Sequence, residues 1–419
     1  MNKCCKLQDS IADVLLFFQD LKVPYKAGNK EIRSLIHILS GVKDFRIEGK
    51  TTYRLENLLT ICFLLALRGE FHSFSYAATY VRVREEEFVK LGLVEKGKTP
   101  SHDTFRRIFT HLDANSLRDV FASKIKVFLN RIAGTAEHNQ KKVSILSGDG
   151  KTFNGSGRGG RHNYNVFNMY NASSSVCLTS IPLADKDSEI PAFQKLLPKY
   201  NLRNTVVTAD ALHCQRDTCG IIVEKGGEYV FKVKGNQKAL MEDIQSKFSD
   251  GRSKITVLTH NNCEYSFIKL PKSYIGYEWP GQKTYVKMIS HKRDAHKDDA
   301  ARRPQLFLTS LSDPVLIAEA IDNRWQIEDG LHLFKDNVLK EDACSFTDGN
   351  AVKVMATINN TVYSLYRISS AILGDRSMQE TIIRFKDDPV SLVSTVLPLL
   401  EGRNLTNLIK ENARGRKKN

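Results

Sequence analysis

Two apolar strands that each run into an aspartate narrow the folds open to this sequence. Val143-Ser-Ile-Leu-Ser-Gly-Asp149-Gly reads as a strand entering a turn, and Thr205-Val-Val-Thr-Ala-Asp210 repeats the pattern. Between them, Tyr164–Tyr170 and Val176–Leu183 are rich in β-formers, and Ile190–Leu197 has helical spacing. A helix over Cys214–Lys225, closed by Gly226-Gly227, then leads into a strand over Tyr229–Val233. Such alternation predicts an α/β domain with a mixed sheet. Groups at the carboxyl ends of its strands face the crevice where ligands bind. An aspartate there either holds a cation or caps a turn, and position alone does not choose.

The flanks have other textures. Residues 30–135 read as a helical domain, with Leu58–Leu67 as a buried helix and Ser101 as the N-cap of a helix carrying Phe105, Ile108 and Phe109. A polar linker, Gly134–Lys142, follows. Short alternating strands over Ile255–Leu258, Glu264–Lys269, Thr284–Ile289 and Gln305–Thr309 predict a β-rich insertion at 240–312. From Pro314 the chain returns to helices: Val315–Val338, Val352–Ala371, Thr381–Phe385 and Val390–Leu400. The expected division is a 1–29 extension, a 30–135 helical domain, an α/β domain from 143–239 and 313–372 interrupted by the insertion, and 373–419 as C-terminal helices with a basic tail from Arg414.

Lys and Arg number 62 against 47 Asp and Glu, a formal net charge of +15. That excess favours a polyanionic partner, nucleic acid first and an anionic membrane surface second. No apolar run approaches the roughly 20 residues that span a bilayer, and no secretory signal is visible. The eight cysteines show no Cys-x-x-Cys spacing, which supports neither a zinc site nor a disulfide framework. A cytoplasmic protein with reduced thiols is expected.

A third acid lies in Arg324-Trp-Gln-Ile-Glu328-Asp-Gly-Leu-His332-Leu-Phe-Lys335-Asp336. Arg324, Glu328, His332, Lys335 and Asp336 fall on one face of a helix. A solvated salt-bridge stripe is the bland reading, but Trp325 and Ile327 lie beside it. Further strings come in a definite order: Pro100-Ser-His-Asp-Thr-Phe-Arg-Arg107, Asp149-Gly-Lys-Thr, Ser188-Glu-Ile-Pro, Thr208-Ala-Asp-Ala-Leu-His-Cys-Gln215, Tyr229-Val-Phe-Lys-Val-Lys-Gly-Asn-Gln237, Arg324-Trp-Gln-Ile-Glu328, Lys340-Glu-Asp342 and Gly349-Asn350. Each is weak alone. Together they resemble the DDE transposases of bacterial insertion sequences, in particular the H-repeat-associated group, over roughly residues 30–370. The Y-R-E-K-type signature of that kind is met at Arg324, Glu328 and Lys335; Ile321 stands where a Tyr is expected.

The resemblance implies an RNase H-like catalytic domain with Asp149, Asp210 and Glu328 as catalytic metal ligands. The Asp210–Glu328 stretch is too long for a bare fold of this kind and suits one with an insertion. It implies two Mg²⁺ (or Mn²⁺) ions, for which carboxylate oxygens are suitable ligands. It also implies binding to terminal inverted repeats, with cleavage and strand transfer of the cut-and-paste type. The partners implied are double-stranded DNA, as transposon ends and target, and a second copy of the chain in a synaptic complex; no membrane is expected, and the protein would be nucleoid-associated.

Arg324 and Lys335 fit as phosphate ligands, with helix salt bridges as the alternative. Trp325 suits stacking on an unpaired base or core packing equally. Lys151 and Lys234 are weaker phosphate-contact candidates. A domesticated or inactive DNA-binding relative and a nuclease of the same fold are the competing functions.

Overall fold

The computed structural model describes residues 30–135, 143–157, 163–183, 188–271, 278–291, 304–373, 375 and 377–400. The extension at 1–29, most of the Gly134–Lys142 linker and the basic tail lie outside the described residues.

The chain begins with helices α1 (Lys30–Leu39), α2 (Leu55–Leu67), α3 (Phe74–Val83), α4 (Glu85–Lys90), α5 (His102–His111) and α6 (Ala114–Thr135). Helix α2 is apolar almost all round and buried from Leu58 to Leu67, as a central helix must be. Ser101 caps α5, its hydroxyl accepting the Thr104 N–H at 3.3 Å.

Next come β1 (Ser144–Phe153), β2 (Tyr164–Asn171), β3 (Val176–Leu183), α7 (Glu189–Leu196), β4 (Thr205–Ala209), α8 (Arg216–Glu224), β5 (Glu228–Val233) and α9 (Lys238–Ser249). The strands β6 (Ile255–His260), β7 (Cys263–Lys269), β8 (Thr284–Ser290) and β9 (Gln305–Thr309) follow. The sheet order is β3-β2-β1-β4-β5-β9-β8-β7-β6. Strands β1 to β3 are antiparallel neighbours, whereas β4 runs parallel to both β1 and β5, which is the RNase H-like arrangement. Every residue of β4 is buried, as expected for a parallel strand covered on both faces.

The expected strands of 255–309 are present, and they extend the same sheet. Strand β9 returns antiparallel to β5, and β8, β7 and β6 continue outward as a meander. The chain closes with α10 (Pro314–Trp325), a π-helical turn over Gln326–His332, α11 (Leu333–Asn337), α12 (Gly349–Leu373), α13 (Met378–Phe385) and α14 (Pro389–Leu400). The helix expected over Val315–Val338 is therefore interrupted at the residues that carry Glu328.

Strand alternation sorts the sheet's side chains into two cores. Ile145, Phe153, Val166, Tyr170, Val206 and Val230 pack with the N- and C-terminal helices. Leu146, Phe167, Met169, Val207, Ala209 and Phe231 join residues of α7, α8 and α9 on the opposite side. Helix α12 ties the first layer together: Asn350 Nδ2 donates to the carbonyls of Phe109 and Leu112, both at 2.9 Å, and Tyr366 donates to the Leu67 carbonyl at 2.8 Å. No helix among the described residues is long and apolar enough to cross a membrane. The described cysteines are buried and form no disulfide.

Candidate active site

Alternation along the strands also decides what faces the crevice. Asp149 lies two and four residues beyond Ser147 and Ile145, so it shares their face, toward the C-terminal helices. On β2, Asn168 is opposite Asp149 in register. Asp210 follows β4, and Lys232 shares a face with Val230 on β5. The π-helical turn crosses this face and brings Glu328. A π-turn widens the helix locally and often accompanies a functional site.

The opposite face explains Gly148 and Gly150. A Cβ at Gly148 would come within 2.8 Å of Phe167 and 2.9 Å of Phe193, and one at Gly150 within 2.5 Å of the Glu189 carboxylate. These glycines let an aromatic pair and an acid close beneath the strand that presents Asp149.

The three expected acids are electrostatically coupled. Burial pushes the Asp149 carboxyl up to about 7, and the Glu328 and Asp210 charges add to that push, with Arg324 opposing it. Each acid also has a local partner. Asp149 Oδ2 lies 3.4 Å from His332 Nδ1, and Glu328 Oε1 accepts from Arg324 at 2.7 Å. Asp210 Oδ1 accepts the Leu212 N–H at 3.0 Å, capping its own turn, and lies 3.9 Å from His213 Nε2. Among the described residues, no group of three or more His, Cys, Asp or Glu forms a metal-ligating cluster. The donor type nonetheless suits a hard divalent cation: carboxylates from three elements feel one another's charge, and Asp149 is short of compensating positive charge.

The expected cationic residues fare differently. Arg324 is buried, held by Glu328, with its guanidinium 4.3 Å from the centroid of Trp325. Trp325 is 37% exposed, so it is not a core residue. Lys335 departs from the expected phosphate contact. It is fully buried, with Nζ 3.4 Å from Asn168 Oδ1 and 3.9 Å from Glu341 Oε2. Lys151 is likewise engaged inside the protein, bonded to Asp336 at 2.6 Å and 3.7 Å from Asp342. Burial pulls its ammonium down, but Glu341, Asp336 and Asp342 together hold it above the usual range. In this structure neither lysine is placed to meet a phosphate in solvent.

Lys234 is exposed, and the turn after it docks on the Asp210 turn: Asn236 donates to the Ala211 carbonyl at 2.8 Å and Gln237 to that of Cys214 at 2.9 Å.

Sequence reasoning left other site residues without a role. Lys232 faces the acids, and burial, with Lys234 and Arg324 beside it, pulls it down to about 8. Its place in an alternating strand beside a recognised motif was the available signal. Burial first, then the Lys335 and Lys151 charges, push His332 well below its usual range, so the ring is neutral. His213, between Phe167 and Phe193, is pushed down by burial to about 4.

An RNase H-like sheet with one acid within its first strand, a second just after its fourth and a third on a crossing helix is the frame of the DDE transposases. The chain belongs to that family: the model described as "Transposase DDE domain" matches residues 131–365, and a second, described as "DDE_Tnp_1-associated", matches residues 36–124. The protein is 26% identical over 373 residues to "Putative transposase YncI" of Escherichia coli O157:H7, covering 82% of this chain and 90% of that one. It is 25% identical over 371 residues to "H repeat-associated putative transposase YhhI" of Escherichia coli K12, covering 80% and 90%. A solved piggyBac transposase synaptic complex with hairpin DNA aligns over 96% of this chain and 84% of that one, at 12% identity and a TM-score of 0.39. The H-repeat resemblance seen in the motifs is borne out.

Proposed function

We propose that this transposase binds double-stranded DNA at the terminal inverted repeats of its element and catalyses metal-dependent strand cleavage and strand transfer of the cut-and-paste type. The observation that carries this reading is Asp149, buried on one sheet face with the Glu328 and Asp210 charges beside it, burial first and those charges second pushing its carboxyl up to about 7. Such a carboxylate is poised to gain from a cation. Asp149, Asp210 and Glu328 would hold Mg²⁺ or Mn²⁺, two ions in this reading, which when bound supplies charge stabilisation at the attacking and leaving oxygens.

The chain's own groups supply the rest. Arg324 holds Glu328 while no substrate is present. As buried as Lys151, Arg324 positions Glu328 through this ion pair rather than meeting a phosphate in solvent. Trp325, exposed beside Arg324, offers a surface on which an unpaired base can stack. Lys232 and the exposed Lys234 add positive charge along the same edge. Two copies of the chain would bring two transposon ends together.

Incubation with a labelled terminal-repeat duplex and Mg²⁺, Mn²⁺ or EDTA tests this reading. Metal-dependent cleavage at the repeat boundary is expected. Asp149→Asn, Asp210→Asn and Glu328→Gln should each abolish it and leave DNA binding in place. Binding without cleavage would favour the domesticated alternative, for which the Arg324–Glu328 pair is the supporting feature. Cutting indifferent to the repeat would point to a nuclease.

A further inference from the structure

A run of buried polar groups leads from Lys335 to Asp149, and its hydrogen-bond polarity follows from the one group in it that can only donate. Lys335 is fully buried, and its ammonium can only donate. It donates to Asn168 Oδ1 at 3.4 Å, and Ser180 Oγ donates to the same oxygen. The Ser180 oxygen also accepts from Asn360 Nδ2 at 2.6 Å, which leaves its proton available to Asn168. Two donors thus fix the Asn168 carbonyl, and the amide Nδ2 must face the other way, toward His332 Nε2 at 3.1 Å. Because Nε2 accepts, a neutral His332 ring carries its proton on Nδ1. That nitrogen is the one 3.4 Å from Asp149 Oδ2.

We propose that Asn168, oriented by Lys335, is a positioning residue that fixes His332 as the Nδ1–H tautomer, so that the ring turns its N–H, at 3.4 Å, toward Asp149 Oδ2 and leaves Oδ1 for the catalytic site. Asn168 is fully buried and directly opposite Asp149 across the β1–β2 ladder, so the support is rigid. Glu341, also buried, accepts from Asn359 at 2.7 Å and lies 3.9 Å from the Lys335 ammonium as its opposite charge. A carboxylate held on one oxygen by a second-layer donor is the usual preparation of a metal ligand. Lys335, expected from the resemblance to touch DNA, acts here from within. The inference deepens the transposase reading and rests on it for its catalytic meaning.

The tautomer is measured on the full-length protein without metal, by ¹⁵N NMR of labelled histidine, with His332 assigned through His332→Gln. A pyrrole-like Nδ1 and a pyridine-like Nε2 at neutral pH are expected. Asn168→Asp keeps the acceptor that Lys335 and Ser180 require and replaces only the amide donor facing His332. In that variant Nε2 should become protonated. The Mn²⁺ concentration for half-maximal cleavage should rise about tenfold or more, with DNA affinity unchanged. A wild-type ring protonated on Nε2, or a ring that Asn168→Asp leaves unaltered, overturns the inference. Because the tautomer is read without DNA, the Nδ1–H form in a protein that does not cleave would sustain the hydrogen-bond chain and sink the transposase reading alone. The Nε2–H form in a cleaving protein would do the reverse.

Discussion

At Asp149 the demands of stability and of function oppose each other. Its carboxyl holds a proton more tightly in the folded chain, to about pH 7, than at its ordinary value of 3.8. The folded state therefore gains from this group below about pH 4 and loses that gain as the pH rises through 7. Asp149→Asn removes the penalty. Denaturant melts should show the variant more stable than wild type at pH 8, by on the order of 2 kcal/mol, and the gap closing toward pH 4. Millimolar Mg²⁺ should stabilise the wild type at pH 8 by occupying the same site, and Asp149→Asn much less. A gap that is constant across pH would remove the Asp149 carboxyl as its source. Asp210 was legible because it ends an apolar strand, whereas Asp149, expected at a strand end, lies within β1, which runs on to Phe153 in register with β2. The burial of Lys335 was not legible, since it depends on Asn168, 167 residues away, and on how the Glu341 turn folds back over it.

Among the elements, β1 and the π-turn show where local reading succeeds and where it stops. A period of two found β1 and gave Asp149 its face, but it did not show why glycines flank the acid. The structure answers with Phe167 and Phe193 against Gly148 and the Glu189 carboxylate against Gly150. Gly150→Ala forces a methyl against that carboxylate, and a melt should show a loss of about 1–3 kcal/mol. Adding Glu189→Ala should restore part of it; no restoration would place the strain elsewhere. The π-turn lay beyond reach for another reason. Residues 314–338 have acceptable 3.6-residue spacing, and the widening at Gln326–His332 is settled by what the turn crosses. The insertion strands were legible one by one, whereas their union with the catalytic sheet depends on β9 pairing with β5, which no local pattern encodes.

For the molecule as a whole, the +15 charge and the sites of its cations make separable predictions about DNA. Duplex binding should weaken steeply with salt, the logarithm of the affinity falling linearly against the logarithm of salt with a slope set by the phosphates neutralised. Only cations that reach the surface contribute to that slope. Lys335 does not, because it is enclosed between β2 and the Glu341 turn. Lys335→Met should therefore leave the slope unchanged while impairing cleavage through Asn168 and His332, whereas Lys234→Ala, at an exposed position beside the acids, should lower the slope by about 1. Salt titrations of a terminal-repeat duplex by fluorescence anisotropy measure both. If Lys335→Met, shown to be folded by circular dichroism, lowers the slope by about 1, the lysine emerges to meet a phosphate when DNA binds, and the buried arrangement is only the resting state of the site.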